Sequence, residues 1–325
     1  MPSATAGSLP PIGVGTWAWG NALLWGYEPS QDPGLEATFE RCLDRGLTFF
    51  DTADSYGTGR FNGRSESLLG RFVAAAARPP ATLTIATKLA PFPWRLGRGG
   101  FRRAFAASWE RLGGRLDRVQ LHWSTARYAP WQEAGLLDGL ADLILAGDVA
   151  QVGVSNMGPQ RLRWAHARLA GRGVELRSLQ VQLSLLAPQA LAPGGVAEVC
   201  RELGIVVSAY SPRALGRRSR SPGALAAPPR GLRGLLFRRL WPAAQPLLEA
   251  MEAMAGGRPG GMAAVALNWC RAHGAMPIPG LRSVGQVEAA AAACGWQLDS
   301  RERQQLDSLA WSCRQRMPAN PFQSA

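Results

Sequence analysis

Along the chain, short apolar runs alternate with longer stretches in which apolar residues recur every three or four positions. The runs cover residues 12–16, 47–50, 83–87, 118–121, 149–154, 179–183, 205–209 and 276–278, and each has the length of a strand. Between them, Leu35, Phe39 and Leu43 repeat at a spacing of four, with Gly46 as a C-terminal stop. Phe101, Phe105, Trp109 and Leu112 repeat the pattern, and Leu136, Leu137, Leu140, Leu143 and Ile144 form a third stripe. Pro159 suits the first turn of a helix carrying Leu162 and Leu169. Val196, Val199, Cys200 and Leu203 lead to a stop at Gly204, and a further helical stretch covers 262–271.

Unbroken β-then-α alternation implies a parallel sheet, and eight such units in 325 residues favour a closed (β/α)8 TIM barrel over an open sheet. The open alternative is weakened because no GxGxxG joins a strand to a helix near the N terminus. The chain therefore reads as a single barrel domain over 1–325, ending in C-terminal helices. Its main irregularity is Arg-, Pro- and Gly-rich, and predicts a long loop over 212–246 after the seventh strand. That loop is either a solvated connection or a flap that closes over an anionic ligand. A second, shorter linker falls at 256–261.

Composition narrows the class. With 46% hydrophobic and 18% charged residues the chain is globular. Five scattered cysteines without a CxxC pair suggest a reduced intracellular protein that has neither disulfides nor a structural zinc site. No apolar run approaches the ~18 residues a membrane helix needs, so no membrane span is expected. The net charge of +13 could attract nucleic acid, but the arginines are spread out and Phe and Tyr do not interleave with them. Attraction of phosphate-bearing small molecules accounts for the sign equally well. The first eleven residues are too short and too neutral for a transit peptide.

Among 36 basic residues, 35 are arginine, and the one lysine, Lys88, stands at a strand end. An ammonium is a compact charge with a tunable pKa, whereas guanidinium is a permanently charged fork. Chemistry in a (β/α)8 barrel sits at the C-terminal strand ends, and those ends, taken in order, present Asp51, Lys88 and His122. Tyr56 follows Asp51 by five residues. No metal-ligand spacing appears, and no serine sits in a GxSxG elbow. The set suits proton transfer to a carbonyl oxygen during hydride attack. A free phenol, with pKa ~10, is a poor acid near neutrality. An adjacent ammonium lowers that pKa, a carboxylate holds the ammonium in place, and a histidine fixes the carbonyl's angle. Singly, each has a plainer reading as a cap, a loop aromatic, a surface lysine or a buried ring. His166 and His273 lie within helical patterns and read as structural.

Phe49-Phe50-Asp51-Thr52-Ala53-Asp54-Ser55-Tyr56-Gly57 resembles the signature of the aldo-keto reductases. So do Thr87-Lys88, Leu121-His122-Trp123, Gly153-Val154-Ser155-Asn156, Ser208-Ala209-Tyr210-Ser211-Pro212 and Ile278-Pro279-Gly280, in family order over nearly the whole chain. The resemblance implies a barrel that binds NADPH and reduces carbonyls, usually as a monomer. Tyr56 would be the proton donor, with Asp51, Lys88 and His122 completing a tetrad. Ser155, Asn156 and Gln180 would hold the nicotinamide carboxamide, Gln182 being close enough to compete, and Tyr210 would stack on the ring. Ser211 would face the pyrophosphate and Arg282 the 2′-phosphate. Thr16, Trp17, Pro212, Arg213, Gly280 and Gln286 join the implied cofactor contacts, and Trp17 and Trp123 the implied substrate pocket.

Further features lie outside those shared motifs. Gly15-Thr16-Trp17-Ala18-Trp19-Gly20-Asn21, Tyr128-Ala129-Pro130 and the tail Asn320-Pro321-Phe322-Gln323 are similar to plant members of the family that reduce pyridoxal. That likeness implies reduction of pyridoxal to pyridoxine in vitamin B6 salvage, and a chloroplast location. Alternatives are a broad-range aldehyde and ketone reductase, or a regulatory β-type subunit that senses NADPH. A barrel glycosidase would need two facing carboxylates, and only Asp51 qualifies. The chain departs from the family where Arg213-Ala214 replaces Leu-Gly, and where Ala289-Ala290 replaces an acidic residue and Asn at adenine.

Overall fold

The computed structural model describes residues 11–76, 80–213, 232–318 and 320–324. Eight parallel strands pair in chain order: β1 (Val14–Gly15), β2 (Phe49–Asp51), β3 (Thr84–Leu89), β4 (Arg118–Leu121), β5 (Gln151–Ser155), β6 (Leu176–Gln182), β7 (Val206–Tyr210) and β8 (Met276–Ile278). The ring closes where Gly13 N donates to Pro277 O and Gly15 N to Pro279 O, both at 2.9 Å, beside a parallel Gly15–Gly280 bridge. The anticipated (β/α)8 barrel is therefore the one that forms.

Strand ends differ from the apolar runs by up to a few residues, most in β6, which begins at Leu176 rather than at 179. Its polar positions Ser178 and Gln180 are buried, and they alternate with Leu179 and Val181, which join the core. Side chains of a strand point alternately to its two faces, so the polar set occupies the lumen and the apolar set packs under the helices. Phe49, Ala86, Met276 and Ile278, from β2, β3 and β8, form a separate buried apolar cluster. Buried Arg118, at the start of β4, lies over the Phe49 ring at 5.2 Å and donates to Gln151 Oε1.

The anticipated helices form at Asp32–Asp44, Arg102–Arg111, Pro130–Leu145, Pro159–Ala170, Val196–Glu202 and Gly261–Ala272. The helix Arg64–Ala75 gave no comparable signal, because its inward face includes Ser65 and Glu66. Glu66 is fully buried, 2.6 Å from the Arg111 guanidinium and bonded to the Thr87 hydroxyl. Its partners are remote in sequence, so the residue reads as a solvated charge.

One boundary needs correction. Residues 232–246 are not loop but the first part of the helix Leu232–Ala255, which carries Pro242 and Pro246 inside it. An interior proline costs about 3 kcal/mol or more. Leu240, Ala244, Leu247, Leu248 and Met251 offset this by burying one stripe, and the helix packs on Gly261–Ala272 and Ser300–Ser312. Each large apolar side chain contributes roughly 1.5–3 kcal/mol when buried. Of the loop expected over 212–246 as a connection or a flap over an anionic ligand, 214–231 lie outside the described residues.

Candidate active site

Lys88 is 1% exposed and its Nζ lies 2.6 Å from Asp51 Oδ2 and 2.7 Å from Thr52 O. Nζ also stands 4.9 Å from the centre of the Tyr56 ring. Register explains the convergence. Asp51 pairs with Ala86, and Lys88, two residues further along β3, points into the same lumen one layer higher. Asp51 Oδ1 accepts from Gln180 Nε2 at 2.8 Å and from Gln120 Nε2 at 3.2 Å. The carboxylate is thus held by one cation and two amides, with no water needed to satisfy it.

Backbone shape makes room for this set. Gly57, at φ 118°, lies so close to the Phe61 carbonyl that a Cβ would sit 1.8 Å from its oxygen, so only glycine allows the Tyr56 loop to fold back there. Inside the barrel, a Cβ on Gly153 would meet Ser178 Oγ at 2.5 Å and Gln120 Cγ at 3.0 Å. Its absence leaves the space through which Gln120 reaches Asp51.

The His122 ring packs edge-on to Tyr56, with centroids 5.7 Å apart, and its Nδ1 is 3.2 Å from Ser55 Oγ. It keeps some surface toward the cleft but is enclosed by protein on its other sides. That desolvation, with the nearby Lys88 charge, pushes its pKa well below 6.5. The unfolded chain therefore binds a proton there at a pH where the folded chain does not. This contribution to stability is present above about pH 6.5 and is lost as pH falls from there toward the folded pKa. We expect His122→Asn to flatten the fall in unfolding free energy between roughly pH 6.5 and 5, measured by urea titration at each pH; an unchanged slope would contradict it.

Tyr56 departs from expectation in one respect. Enclosure raises its pKa above 10.0, and the Lys88 ammonium opposes this only in part, so the net shift is upward rather than downward. Lys88 shows the opposite balance. Burial pulls its pKa down, Asp51 and Tyr56 push it up, and the net direction is up. At neutral pH both groups are protonated, which suits a donor beside a fixed positive charge.

The residues proposed for the cofactor fall into distinct groups. Asn156, in the left-handed region at φ 58°, donates from Nδ2 to His122 O at 3.1 Å and to Ser155 Oγ at 3.0 Å. Tyr210 donates to Asn156 Oδ1 at 3.0 Å. Ser155 is buried, and its hydroxyl donates to Gln180 O at 2.9 Å. Ser211 also adopts a positive φ, 54°, at the end of β7, and is exposed beside buried Pro212. Arg213 donates to Gly280 O at 2.5 Å, and its pKa is lowered to about 10 by desolvation and the positive charge of Arg282. Arg282 lies over the Trp25 ring at 4.7 Å, and its backbone N–H is capped by Gln286 Oε1 at 2.8 Å. Two guanidinium groups side by side near Gly280 form a donor set suited to phosphate oxygens.

Two assignments shift. Thr16 is fully buried with its hydroxyl spent on Ser65 Oγ, 2.7 Å, and Asp51 O, 3.1 Å, so that side chain ties the end of β1 to β2 instead of facing the cleft. Gln180 braces the Asp51 carboxylate, a contact its position in the strand did not suggest. Trp17 packs edge-on against Trp25 at 5.9 Å, whereas Trp123 belongs to a row of rings. In that row Trp94 stacks on Phe92 at 4.8 Å, Phe92 meets Trp123 at 6.1 Å, and Trp123 stacks on Phe322 at 4.8 Å. Gln120 was missed although a signal existed, since it lies two residues before His122 and therefore on the same face. Among the described residues no cluster of His, Cys, Asp and Glu could hold a metal ion, and no helix is long and apolar enough to cross a membrane.

A parallel eight-stranded barrel with a phenol, an ammonium, a carboxylate and an imidazole converging at its strand ends defines an oxidoreductase of the carbonyl-reducing barrel class. Residues 11–310 match the Aldo/keto reductase family, and the chain belongs to that family. It is 46% identical over 98% of its length to "Pyridoxal reductase, chloroplastic" of Arabidopsis thaliana, covering 87% of that protein. It is 32% identical, over 95% of its length and 91% of the relative's, to an uncharacterized oxidoreductase of Mycobacterium bovis. Among solved structures, an aldo/keto reductase from Klebsiella pneumoniae in complex with NADP and acetate superposes with a TM-score of 0.71 at 25% identity, over 98% of this chain and 96% of that one.

Proposed function

We propose that this protein reduces pyridoxal to pyridoxine with NADPH, with Tyr56 giving the proton to the aldehyde oxygen. The observation that carries the reading is the placement of the Tyr56 ring between buried Lys88 and His122 at the barrel mouth. The nicotinamide cofactor, when bound, supplies the hydride. Asn156 and Tyr210 would line the pocket of its nicotinamide end, and Arg213 and Arg282 would hold its phosphates. His122, kept neutral, offers an N–H to the carbonyl oxygen when Ser55 donates to Nδ1, and so fixes the angle of approach. Lys88, anchored by Asp51, keeps its proton because its pKa is raised, and its fixed charge stabilises the phenolate left behind until solvent returns a proton to it.

The substrate assignment draws on the 46% identity to a pyridoxal reductase and on the aromatic row Trp94, Phe92, Trp123 and Phe322, a wall for a flat heteroaromatic aldehyde. A plastid location belongs to the same reading and rests on the same relative. The test is cofactor oxidation with pyridoxal, pyridoxal phosphate and simple aromatic aldehydes. We expect kcat/KM for pyridoxal to exceed the simple aldehydes by ~10-fold or more, as polar groups matched by a site do. Equal values would leave a broad-range reductase, and no turnover of any carbonyl would overturn the reading.

Cofactor choice has its own test. With Ala289 and Ala290 replacing polar adenine contacts, preference for the 2′-phosphate depends on the two guanidinium groups. We expect Arg282→Ala to weaken NADPH by about tenfold or more while NADH binding changes little, as loss of a charge-assisted pair would. Equal losses in titrations with both cofactors would place the 2′-phosphate elsewhere.

A further inference from the structure

The C-terminal tail is joined to the same residues that hold the nicotinamide in the reading above, on which this inference rests. Asn320 Nδ2 donates to Asn156 Oδ1 at 3.0 Å and to the Tyr210 hydroxyl at 2.9 Å. Tyr210 in turn donates to Asn156 Oδ1 at 3.0 Å, which closes a three-membered ring of hydrogen bonds across the ends of β5 and β7. The orientation of the Asn320 amide is set from behind, because its Oδ1 accepts from Phe322 N at 2.9 Å. Its donor end is thereby turned toward the pair. The tail is secured further on: Ser324 N donates to Asn156 O at 3.1 Å, Ser324 Oγ accepts from Gly158 N at 3.2 Å, and Phe322 stacks on Trp123.

We propose that Asn320 is a positioning residue for nicotinamide, fixing the Tyr210 ring and the Asn156 side chain beside the cofactor's reactive end. Asn156 Oδ1 and the Tyr210 oxygen both accept from this group, so only a donor at 320 completes the network. Asn156 sits in the left-handed region, which asparagine enters more readily than other non-glycine residues, so its amide is turned toward Tyr210 and Asn320 without large strain. Without Asn320 the Tyr210 hydroxyl loses its donor and keeps only its own bond to Asn156 Oδ1. The tail also carries Phe322 of the aromatic row, so the same segment ties the cofactor side of the cleft to its substrate side.

The experiment compares Asn320→Ala and the near-isosteric Asn320→Asp, which keeps shape but removes both donors, with Asn156→Ala. Binding of NADPH and of the same molecule without its nicotinamide ring, 2′-phospho-ADP-ribose, is measured calorimetrically, together with kcat and Tm. Both Asn320 variants should weaken NADPH by about tenfold and lower kcat, as loss of buried hydrogen bonds would. Binding of the ring-less fragment and Tm should stay unchanged. Equal weakening of both ligands, or a matching fall in Tm in both variants, would show that Asn320 only secures the tail and would overturn the inference. Loss of NADPH affinity in Asn156→Ala but in neither Asn320 variant would overturn it while leaving the nicotinamide site standing. Unchanged affinity in all three would remove the nicotinamide site itself.

Discussion

Tyr56→Phe should lower kcat by on the order of 10²-fold or more while leaving Tm and NADPH affinity close to those of the parent. The substitution removes one oxygen and keeps the ring. The ring's edge-on contact with His122, at 5.7 Å, and the Lys88 ammonium 4.9 Å from its centre remain available to phenylalanine. What is lost is the proton. Enclosure holds the phenol above its ordinary pKa, so across the neutral range the group is present as the acid and the loss does not depend on ionisation. Steady-state turnover, with binding and Tm measured in parallel, separates this from misfolding. Near-normal turnover would mean that another group, or water, protonates the product.

Lys88→Arg should also reduce turnover by about 10²-fold, for a different reason. Lys88 is 1% exposed, and its Nζ already uses Asp51 Oδ2 and Thr52 O at 2.6 and 2.7 Å. A planar fork cannot occupy that point and also face the phenol, so charge is kept and geometry is lost. Lys88→Met addresses stability instead, since it leaves the Asp51 carboxylate buried without its cation. Breaking one side of a buried pair costs roughly 3–5 kcal/mol, so the double variant Lys88→Met/Asp51→Asn should be more stable than Lys88→Met alone. The pH dependence has a definite sign. Because the folded pKa of Lys88 is raised, its contribution to stability is full below about 10.5 and is lost only as pH climbs through the higher folded value. Full activity in Lys88→Arg, or a double variant no more stable than Lys88→Met, would remove the role given to this amine.

Local patterning carried much of the fold. Strand runs buried on both faces are nearly continuous in apolar residues, and helices with a clean stripe, such as Asp32–Asp44 and Pro130–Leu145, show in the spacing alone. The helix Arg64–Ala75 did not, because Glu66 finds its partners in Arg111 and on β3. The helix Leu232–Ala255 was hidden by Pro242 and Pro246, whose local cost is outweighed by packing on elements that follow it in the chain. His273 reads as structural in its helix, yet its partner Asp307, 2.8 Å from Nε2, lies on a later helix that spacing cannot connect to it.

By itself the sequence determined the barrel and the end of it at which Asp51, Lys88 and His122 fall, because strand order and a period of two put them at adjacent strand ends, with Tyr56 in the loop that follows β2. Only the tertiary structure decided how they act on one another. Enclosure set the upward shift of the phenol and the downward shift of the imidazole. Gln120 and Gln180 became props for Asp51, and a tail more than a hundred residues beyond Tyr210 reached back to it through Asn320. Local pattern records which way a side chain points. Desolvation and hydrogen bonding depend on neighbours brought together by closure of the whole ring, which no window of sequence contains.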